Sequence, residues 1–439
     1  MSFEPEIEEL SVAHQEENDS ILFRKQINYL VNNSEFYKNK LSYITGEFDI
    51  ANLANINKLP FTEKDELRKS QEEALPFGTH LAANPEDLVR IYSTSGTSGV
   101  PSIIALTSSD LKSWATNTAR SFSAAGIKPG QRIISMFNAG PFVAGATYDG
   151  LLALKATVIP LGIGDTERLI NQVIRLNATA IACTPSYVLY IIEWCKERKI
   201  EPKNLGIENI VTAGEPGGGD PLFREKVEKT FNCKVREVMG NGDIATSIWG
   251  ECEFGNGMHF SGRNNVYVEL IDPETKESVS WKEGAEGELV YTSLNREAMP
   301  LLRARSRDHV HVISAGNCKC GRTSPAIRCI GRTDDMLIIR GVNLFPTAIR
   351  RILNKFKDFI DPDYYQVRPE SKSISQSPPL PITIELKENI QEIPDDLSEK
   401  IAAQIRKKLI VTVNVTLVKS GELPRSNYKR KLLDFSFGE

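Results

Sequence analysis

The sequence predicts an α/β protein with a large N-terminal domain of mostly parallel βα units, a small β subdomain and a ferredoxin-like C-terminal domain. Three observations predict this fold class. Apolar strand-like runs alternate with amphipathic helical patterns in the middle of the chain. Short strands joined by polar turns follow them. The last part of the chain has the order strand, helix, strand, strand, helix, strand.

The parallel sheet is predicted from short apolar or β-branched runs bounded by Gly, Pro or Asn. These runs, which follow a helical region ending near residue 90, are residues 132–137, 157–161, 180–183 and 209–213. Helical spacing of apolar residues occurs at 112–125, 143–155, 166–177 and 186–198. Strands that alternate with helices form parallel sheets, whose ligands bind beyond the carboxyl ends of the strands. Gly214-Glu215-Pro216, directly after 209–213, is therefore a predicted ligand site.

The sequence pattern changes after about residue 264, from alternating strands and helices to short strands. Residues 264–313 alternate short strands, such as 266–271 and 287–291, with polar turns, which indicates a small β subdomain. After Gly331 the pattern predicts strands at 336–340, 364–368, 382–387 and 411–418, with helices at 346–356 and 397–409. This βαββαβ order is that of a ferredoxin-like domain. The Ser- and Pro-rich stretch 370–381 predicts an exposed loop.

Composition is that of an ordinary soluble globular protein, since the 439 residues are 41% hydrophobic and 25% charged, with a net charge of −4. This balance gives no basic field for nucleic acid, and no apolar run approaches the roughly 20 residues of a membrane helix. The acidic start MSFEPEIEEL lacks the features of a secretory signal, and seven cysteines do not form a complete set of pairs. We therefore expect a cytoplasmic protein that binds neither nucleic acid nor a membrane.

Residues 91–101, IYSTSGTSGVP, place Ser, Thr and Gly between apolar flanks. Gly96 and Gly99 allow backbone N–H groups to converge. Rotatable hydroxyl donors are supplied by Ser93, Thr94, Ser95, Thr97 and Ser98. The run predicts a phosphate-binding loop, although no Lys follows Gly99 as in the common NTPase loop. A flexible linker is the alternative interpretation.

A second constellation has the pattern C-x6-H followed by C-x-C, formed by Cys252, His259, Cys318 and Cys320. Four such ligands predict a closed, structural Zn²⁺ site. Asn256-Gly257 and Gly316-Asn317 supply the tight turns that converging ligands need. Buried free thiols are the alternative. His309 and His311, two residues apart on one strand, are the next candidate ligands.

Taken together, the motifs resemble the phenylacetate-coenzyme A ligase branch of the adenylate-forming enzymes. The resemblance runs along nearly the whole chain and includes, besides the Ser/Thr/Gly loop and Gly214-Glu215-Pro216, LPFTEK (59–64), EAMPLLR (297–303), RSRD (305–308), CKCGRT (318–323), GRTDDMLIIRG (331–341) and LPRSNYK (423–429). Several ordered motifs make this match specific. Related ligases also have an arrangement similar to the Cys/His set.

The resemblance implies that ATP and Mg²⁺ activate a carboxylic acid as an acyl adenylate with release of pyrophosphate, and that coenzyme A then displaces AMP. It implies an adenylation domain at 1–333 and a mobile domain at 334–439, with Asp334 as the hinge. The implied residues are the phosphate loop Ser93 to Gly99, Asp308 for the ribose hydroxyls, Arg332 near ribose and phosphate, and Lys429 as the catalytic lysine. On residue type alone, the favoured interpretation is that Asp308 is a surface turn residue and Lys429 a solvated charge.

The sequence departs from the family pattern where relatives have aromatic-Gly-x-Thr/Ser-Glu. Here the residues are Met239-Gly240-Asn241-Gly242-Asp243. Met239 replaces the ring that would stack on adenine, and Gly242 lacks a hydroxyl. Asp243 keeps the catalytic carboxylate expected to bind Mg²⁺. Tyr428 stands where relatives have Gly. We expect adenylation to survive these changes.

The segment that corresponds to the acid pocket contains Phe142, Tyr148, Ala213 and Ile244. Small residues beside Phe142 and Tyr148 predict a flat apolar slot for an aromatic ring, although each residue could equally serve packing. The predicted function is therefore an aryl acid-coenzyme A ligase of the phenylacetate or benzoate type. Two alternatives stay open: transfer of the acyl group to a carrier-protein thiol or an amine, and a non-catalytic binding homologue. A carrier protein and a homodimer also stay open as partners.

Overall fold

The computed structural model describes residues 2–44, 48–94, 102–137, 140, 142–162, 164–340, 342–371, 373–388, 390, 392–426 and 430–435. The chain forms two compact units. The first consists of Met1–Ser306 with Val310–Arg328, and the second of Arg307–His309 with Cys329–Glu439.

Helices occupy most of the first 75 residues and alternate with strands further along. In chain order, the α-helices of the described residues are α1 Pro5–Glu8, α2 Val12–Asn33, α3 Glu35–Ser42, α4 Lys64–Glu73, α5 Ser108–Ala124, α6 Thr147–Ala153, α7 Thr166–Leu176, α8 Pro185–Glu197, α9 Pro221–Phe231, α10 Ile349–Leu353 and α11 Leu397–Leu409. Side-chain caps begin several of them, including Ser11 for α2, Thr107 for α5 and Thr184 for α8. Among the described residues, no helix is long and apolar enough to cross a membrane.

The strands up to Arg332 are β1 Leu88–Ser93, β2 Ile103–Thr107, β3 Arg132–Ser135, β4 Thr157–Pro160, β5 Ala180–Cys183, β6 Asn209–Thr212, β7 Lys234–Asn241, β8 Ala245–Glu251, β9 Met258–Phe260, β10 Val266–Ile271, β11 Glu286–Ser293, β12 Ala304–Ser314 and β13 Ala326–Arg332. β1 and β2 form an antiparallel pair. The others form one sheet in the order β10-β11-β12-β13-β9-β8-β7-β6-β5-β3-β4. Within it, β4, β3, β5, β6 and β7 are parallel, as predicted.

The predicted β subdomain continues this sheet in antiparallel fashion, because β7 pairs with β6 on one edge and with β8 on the other. The strands of the parallel half are continuous apolar runs because both faces of the sheet are covered. Every residue of β5 is buried. A single apolar cluster joins Ile134, Ile181 and Ile210 of the strands to Val173 of α7 and Val188 of α8. Apolar residues on one face of each helix thus cover the sheet.

The second unit continues with β14 Leu337–Ile339, β15 Val342–Leu344, β16 Ile360–Val367, β17 Ser375–Gln376, β18 Leu380–Leu386 and β19 Val413–Val418. The predicted order of strands and helices is present, with β15 and β17 in addition. β14 pairs with β15 and β17, while β16, β18 and β19 form a second sheet. Both sheets contribute to one apolar core with α10 and α11. β17 lies within the stretch 370–381, which the sequence predicted as an exposed loop.

Candidate active site

The LPFTEK segment is joined to the start of β12 by backbone hydrogen bonds. The Thr62 N–H donates to the Arg303 carbonyl at 2.9 Å, and the Arg305 N–H donates to the Thr62 carbonyl at 3.1 Å. The Thr62 hydroxyl donates to the Leu302 carbonyl at 2.6 Å. These bonds fix the position of the segment that leads into α4.

The two arginines of this region form buried ion pairs. Arg303 binds Glu269 at 2.9 Å, and Arg305 binds Glu288 at 2.6 Å. The Phe61 ring centroid lies 4.0 Å from the Arg303 guanidinium and 6.0 Å from that of Arg305. The sequence reasoning gave these motif residues no role, and their contacts are those of residues that hold LPFTEK in place.

Asp243 lies opposite Lys64, the first residue of α4. The Lys64 ammonium is 3.1 Å from Asp243 Oδ2. Asn241 Oδ1 accepts from the Asp243 N–H at 3.1 Å, and Arg296 donates to the Asp243 carbonyl. A pocket at this place is lined by Thr62, Lys64, Leu67, Asn241, Asp243, Ile244, Tyr291, Leu301, Ala304, Arg305 and Ser306. The predicted Mg²⁺ carboxylate therefore lies in a pocket with a lysine that the sequence reasoning missed.

Arg296 is a second cation close to Asp243, and only 5% of its surface is exposed. Burial lowers the pKa of its guanidinium, while the charges of Asp110 and Asp243 oppose that shift. The guanidinium carbon lies 5.4 Å from the Trp114 ring centroid. The Arg296 guanidinium is thus held at the Asp243 carbonyl.

The base of the Ser/Thr/Gly loop is closed by a reciprocal pair of hydrogen bonds at the end of the β1–β2 hairpin. The Thr94 N–H donates to the Ser102 carbonyl at 3.0 Å, and the Ser102 N–H donates to Thr94 Oγ1 at 3.2 Å. Ser95, Gly96, Thr97, Ser98 and Gly99 lie outside the described residues. A Cβ placed on Gly242 would lie 3.7 Å from Thr94 Cγ2. The structure therefore brings the base of the loop to the 239–243 segment.

Gly240 of that segment lies at the register shift between β7 and β8. A Cβ on Gly240 would be 2.0 Å from the Thr246 carbonyl oxygen. Met239 pairs with Trp249 across the two strands. The glycine that the family pattern supplies here is thus required by close backbone approach.

We expect Gly240→Ala to lower the free energy of unfolding by about 1–3 kcal/mol, because the strands must separate to admit a methyl group. Urea denaturation of the purified variant measures this. Gly242→Ala is the matched control, since its Cβ would meet atoms no closer than 3.7 Å. Equal stability of the two variants would contradict the close approach at Gly240.

The Gly214-Glu215-Pro216 segment lies beyond the carboxyl end of β6 and next to that of β5. Gly214 has a φ of 90°, which suits glycine in a tight turn. Glu215 Oε1 accepts from the Ser186 N–H at 2.6 Å. Because Ser186 lies in the first turn of α8, this carboxylate caps the helix. Glu215 therefore has a structural role that sequence reasoning did not predict.

A buried charge cluster lies beneath the next residues of this turn. Arg328 donates to the Gly219 carbonyl, and both Arg224 and Arg328 bind Glu251. Burial, with the charge of Glu251, raises the pKa of Glu237 to about 7, and the charges of Arg328 and Arg224 oppose the shift. These residues come from separate elements, so no local sequence pattern reveals the cluster.

The acid-pocket candidates have different surroundings. Ile244 is buried and lines the pocket that contains Asp243. Phe142 is 37% exposed and forms a backbone bridge with Ser93. The Tyr148 hydroxyl donates to the Phe137 carbonyl at 2.8 Å. Ala213 packs against the core between the sheet and its helices.

The structure brings together the ligand atoms of Cys252, His259, Cys318 and Cys320, all within 4.8 Å of one another. Cys252 Sγ is 3.8 Å from Cys318 Sγ, and Cys320 Sγ is 3.7 Å from His259 Nε2. A tetrahedral Zn²⁺ with Zn–S bonds of about 2.3 Å needs ligand atoms about 3.8 Å apart. The donor set and its spacing therefore fit zinc.

Contacts within the cluster shift the pKa values of two of its thiols in opposite directions. The hydrogen bond with Cys252 lowers the pKa of the Cys320 thiol against its burial, which favours the thiolate. The same hydrogen bond, together with burial, raises the pKa of the Cys252 thiol. The second ring nitrogen of His259 lies 3.4 Å from the Ser324 carbonyl, which leaves Nε2 for a metal. The other candidates have other partners, since His311 lies 3.2 Å from Glu286 and His309 stacks on Phe345.

The second unit contains Asp308, Arg332 and Asp334. The Arg332 guanidinium lies 3.3 Å from Asp308 Oδ1 and 2.7 Å from Asp334 Oδ2. Its pKa is raised, because the hydrogen bond to Asp334 and the charge of Asp308 outweigh its burial. The predicted ribose and hinge residues thus share one arginine. Lys429, the predicted catalytic lysine, lies outside the described residues.

Residues 341–434 match the sequence model of the AMP-binding enzyme C-terminal domain. The phenylacetate-coenzyme A ligase of Escherichia coli is 30% identical over 389 residues, covering 87% of this chain and 85% of the relative. The crystal structure of 2-hydroxyisobutyryl-CoA ligase in complex with 2-HIB-AMP superposes with a TM-score of 0.88 at 24% identity, covering 99% of this chain and 92% of that chain. The α/β fold with its C-terminal domain is therefore confirmed.

The phenylacetate-coenzyme A ligase of Thermus thermophilus is similar along its whole length. It is 31% identical over 455 residues, which cover 99% of this chain and 99% of the relative. This end-to-end match confirms the resemblance that the ordered motifs indicated. The chain belongs to the phenylacetate-coenzyme A ligase family.

Proposed function

We propose that this chain is an AMP-forming acid-thiol ligase that activates an aromatic carboxylic acid with ATP and transfers the acyl group to coenzyme A. The observation that carries the proposal is the 99% coverage of a curated phenylacetate-coenzyme A ligase. The grouping of Asp243, Lys64 and the base of the Ser/Thr/Gly loop in the first unit supports it.

In the first half-reaction, the carboxylate oxygen of the acid attacks the α-phosphorus of ATP, and the bond to the bridging oxygen of pyrophosphate breaks. In the second, the thiolate of coenzyme A attacks the acyl carbon, and AMP leaves. Charge accumulates on the phosphates in the first step, so the site must supply donors and cations. We assign this role to the loop beginning at Ser93, to Asp243, which would hold Mg²⁺, and to Lys429.

Mg²⁺ would neutralise part of the polyphosphate charge when bound. The residues present fit this ion, because it is usually held by one or two carboxylates together with phosphate oxygens. The Asp243 side chain is 20% exposed, which leaves its carboxylate accessible from the pocket. In the second unit, Asp308 and Arg332 have the ribose and phosphate roles that the resemblance implies.

Specificity for an aromatic acid is supported by the names of the curated relatives, which are phenylacetate-coenzyme A ligases. Transfer to a carrier-protein thiol or an amine is the second candidate, because Met239 to Asp243 depart from the family pattern.

We further propose that Cys252, His259, Cys318 and Cys320 hold a structural Zn²⁺. The set offers four ligands, which leaves no position for a catalytic water. Its role would be to join the turn that holds Cys318 and Cys320 to the segment around β9.

The function is tested by pyrophosphate release with Mg-ATP and a panel of aryl, aliphatic and amino acids, with and without coenzyme A. We expect release with an aryl acid, continued turnover only with coenzyme A, and an acyl-CoA product in mass spectrometry. Release that is indifferent to coenzyme A but continues with a carrier protein or an amine would favour the second candidate. No pyrophosphate release with any acid of the panel would favour a non-catalytic binding homologue.

The hinge assignment makes a separate prediction. We expect Asp334→Pro to impair thioester formation more than adenylation, because proline fixes φ at a residue that must change it. Both half-reactions are measured on the purified variant by burst-phase pyrophosphate release and by acyl-CoA formation. Asp334→Ala is the control, since it removes the contact to Arg332 but leaves the backbone free. Equal loss in both half-reactions of the proline variant would contradict a hinge here.

A further inference from the structure

We infer that Lys64 binds the polyphosphate of Mg-ATP beside Asp243, as a cation of the adenylation site in addition to Lys429. The inference rests on the proposed function and adds a residue for which the sequence offered no role. It also gives LPFTEK a function: the segment holds the stem of this lysine.

The backbone of Lys64 is fixed on both sides of its position. Glu63 caps α4 reciprocally with Glu66, and its own N–H donates to Glu66 Oε2 at 2.8 Å. Arg305 donates to Glu63 Oε1 at 3.3 Å, and Thr62 pairs with β12 at Ala304. A residue held in this way presents its side chain at a defined place.

The Lys64 side chain extends from this anchor to the pocket. Its ammonium lies 3.1 Å from Asp243 Oδ2, and Thr62, Asn241 and Ser306 line the same pocket. The side chain is 40% exposed, so its charge remains accessible to a ligand. A compact ammonium on a flexible four-carbon stem can change partners within one site.

The contacts of the two cations near Asp243 indicate which of them can change partners when a ligand binds. The Arg296 guanidinium is buried and donates to the Asp243 main chain, so it cannot leave without exposing an unpaired carbonyl. Lys64 contacts the carboxylate itself, which would hold Mg²⁺. Anionic phosphate oxygens bound beside this carboxylate would offer the ammonium further charge-assisted hydrogen bonds.

The alternative is that the Lys64–Asp243 contact is a surface ion pair whose only role is to stabilise α4. Lys69 on the same helix is such a residue, since it is 76% exposed and lies 3.8 Å from Glu73. Lys69→Met therefore serves as a matched control for Lys64→Met. Lys64→Arg keeps the charge on a longer, planar group.

The test is isothermal titration of each purified full-length variant with Mg-ATP and, separately, with AMP. We expect Lys64→Met to weaken Mg-ATP binding about tenfold or more, the effect of losing a charge-assisted hydrogen bond, and to change AMP binding by less than about twofold. Lys64→Arg should recover most of the loss, and Lys69→Met should match the wild type. Thermal unfolding checks that each variant is folded.

Wild-type affinity of Lys64→Met for Mg-ATP would overturn the inference, as would an equal loss for Mg-ATP and AMP. Either result leaves the proposed function intact, provided that the wild type binds Mg-ATP and releases pyrophosphate with an acid. A wild type that does neither would refute the proposed function and this inference together.

Discussion

Replacing Cys320 by serine is expected to release the proposed zinc ion and to lower the free energy of unfolding by about 4 kcal/mol or more, since loss of a metal is among the few changes with so large an effect. For a domain of this size the melting temperature should fall by roughly 5–10 °C. Serine is a poor zinc ligand, and the three remaining ligands leave the site open.

The loss of stability should extend to the N-terminal segment, because that segment contacts the turn that holds Cys318 and Cys320. Arg322, two residues after Cys320, lies 2.8 Å from Glu8, and both side chains are buried. The Thr323 N–H also donates to the Glu8 carbonyl at 3.3 Å. A turn without its zinc would therefore weaken the attachment of α1.

Elemental analysis of the purified protein and thermal unfolding with and without a chelator measure this prediction. We expect one zinc ion per chain in the wild type and less than one in Cys320→Ser. Cys329→Ser is the matched control, since Cys329 is half-buried and its thiol contacts the Gly331 carbonyl at 3.8 Å. A wild type without zinc, or a Cys320→Ser variant as stable as this control, would contradict the structural site.

The elements that the sequence predicted well are those whose pattern is local. The strands at 180–183 and 209–213 are contiguous apolar runs, and the structure places them as β5 and β6 with bounds within one residue. The Cys/His set was predicted from spacing, because ligands that must converge are few in type and need turns around them. The structure brings all four of its side chains together.

Pairing across long sequence separations could not be predicted in the same way. Lys64 and Asp243 are 179 residues apart, and the LPFTEK motif by itself gives no sign of a carboxylate partner. Likewise, β14 and β17 pair although two strands, β15 and β16, and the helix α10 lie between them in the chain. The Ser- and Pro-rich composition around β17 is typical of an exposed loop. Such contacts depend on the whole fold rather than on local periodicity.

Replacing Arg305 by methionine is expected to destabilise the first unit by about 3–5 kcal/mol, because it removes the guanidinium that pairs with a buried carboxylate. Glu288 is fully buried, and Arg305 contacts it with two guanidinium nitrogens at 3.0 and 2.6 Å. Urea denaturation measures the loss. Arg24→Met is the control, since the Arg24–Asp49 pair is 58% and 49% exposed and such pairs contribute about 1 kcal/mol or less.

A double variant, Arg305→Met with Glu288→Met, separates the cost of the lost ion pair from the other contacts of the arginine. If the buried carboxylate is the cause, the second substitution should restore most of the lost stability, because apolar residues of similar volume can replace a buried pair. Arg305 also donates to Glu63 and to the Pro273 carbonyl, both at 3.3 Å. A double variant as unstable as Arg305→Met would therefore assign the stabilisation to these two contacts, of which the one to Glu63 attaches LPFTEK.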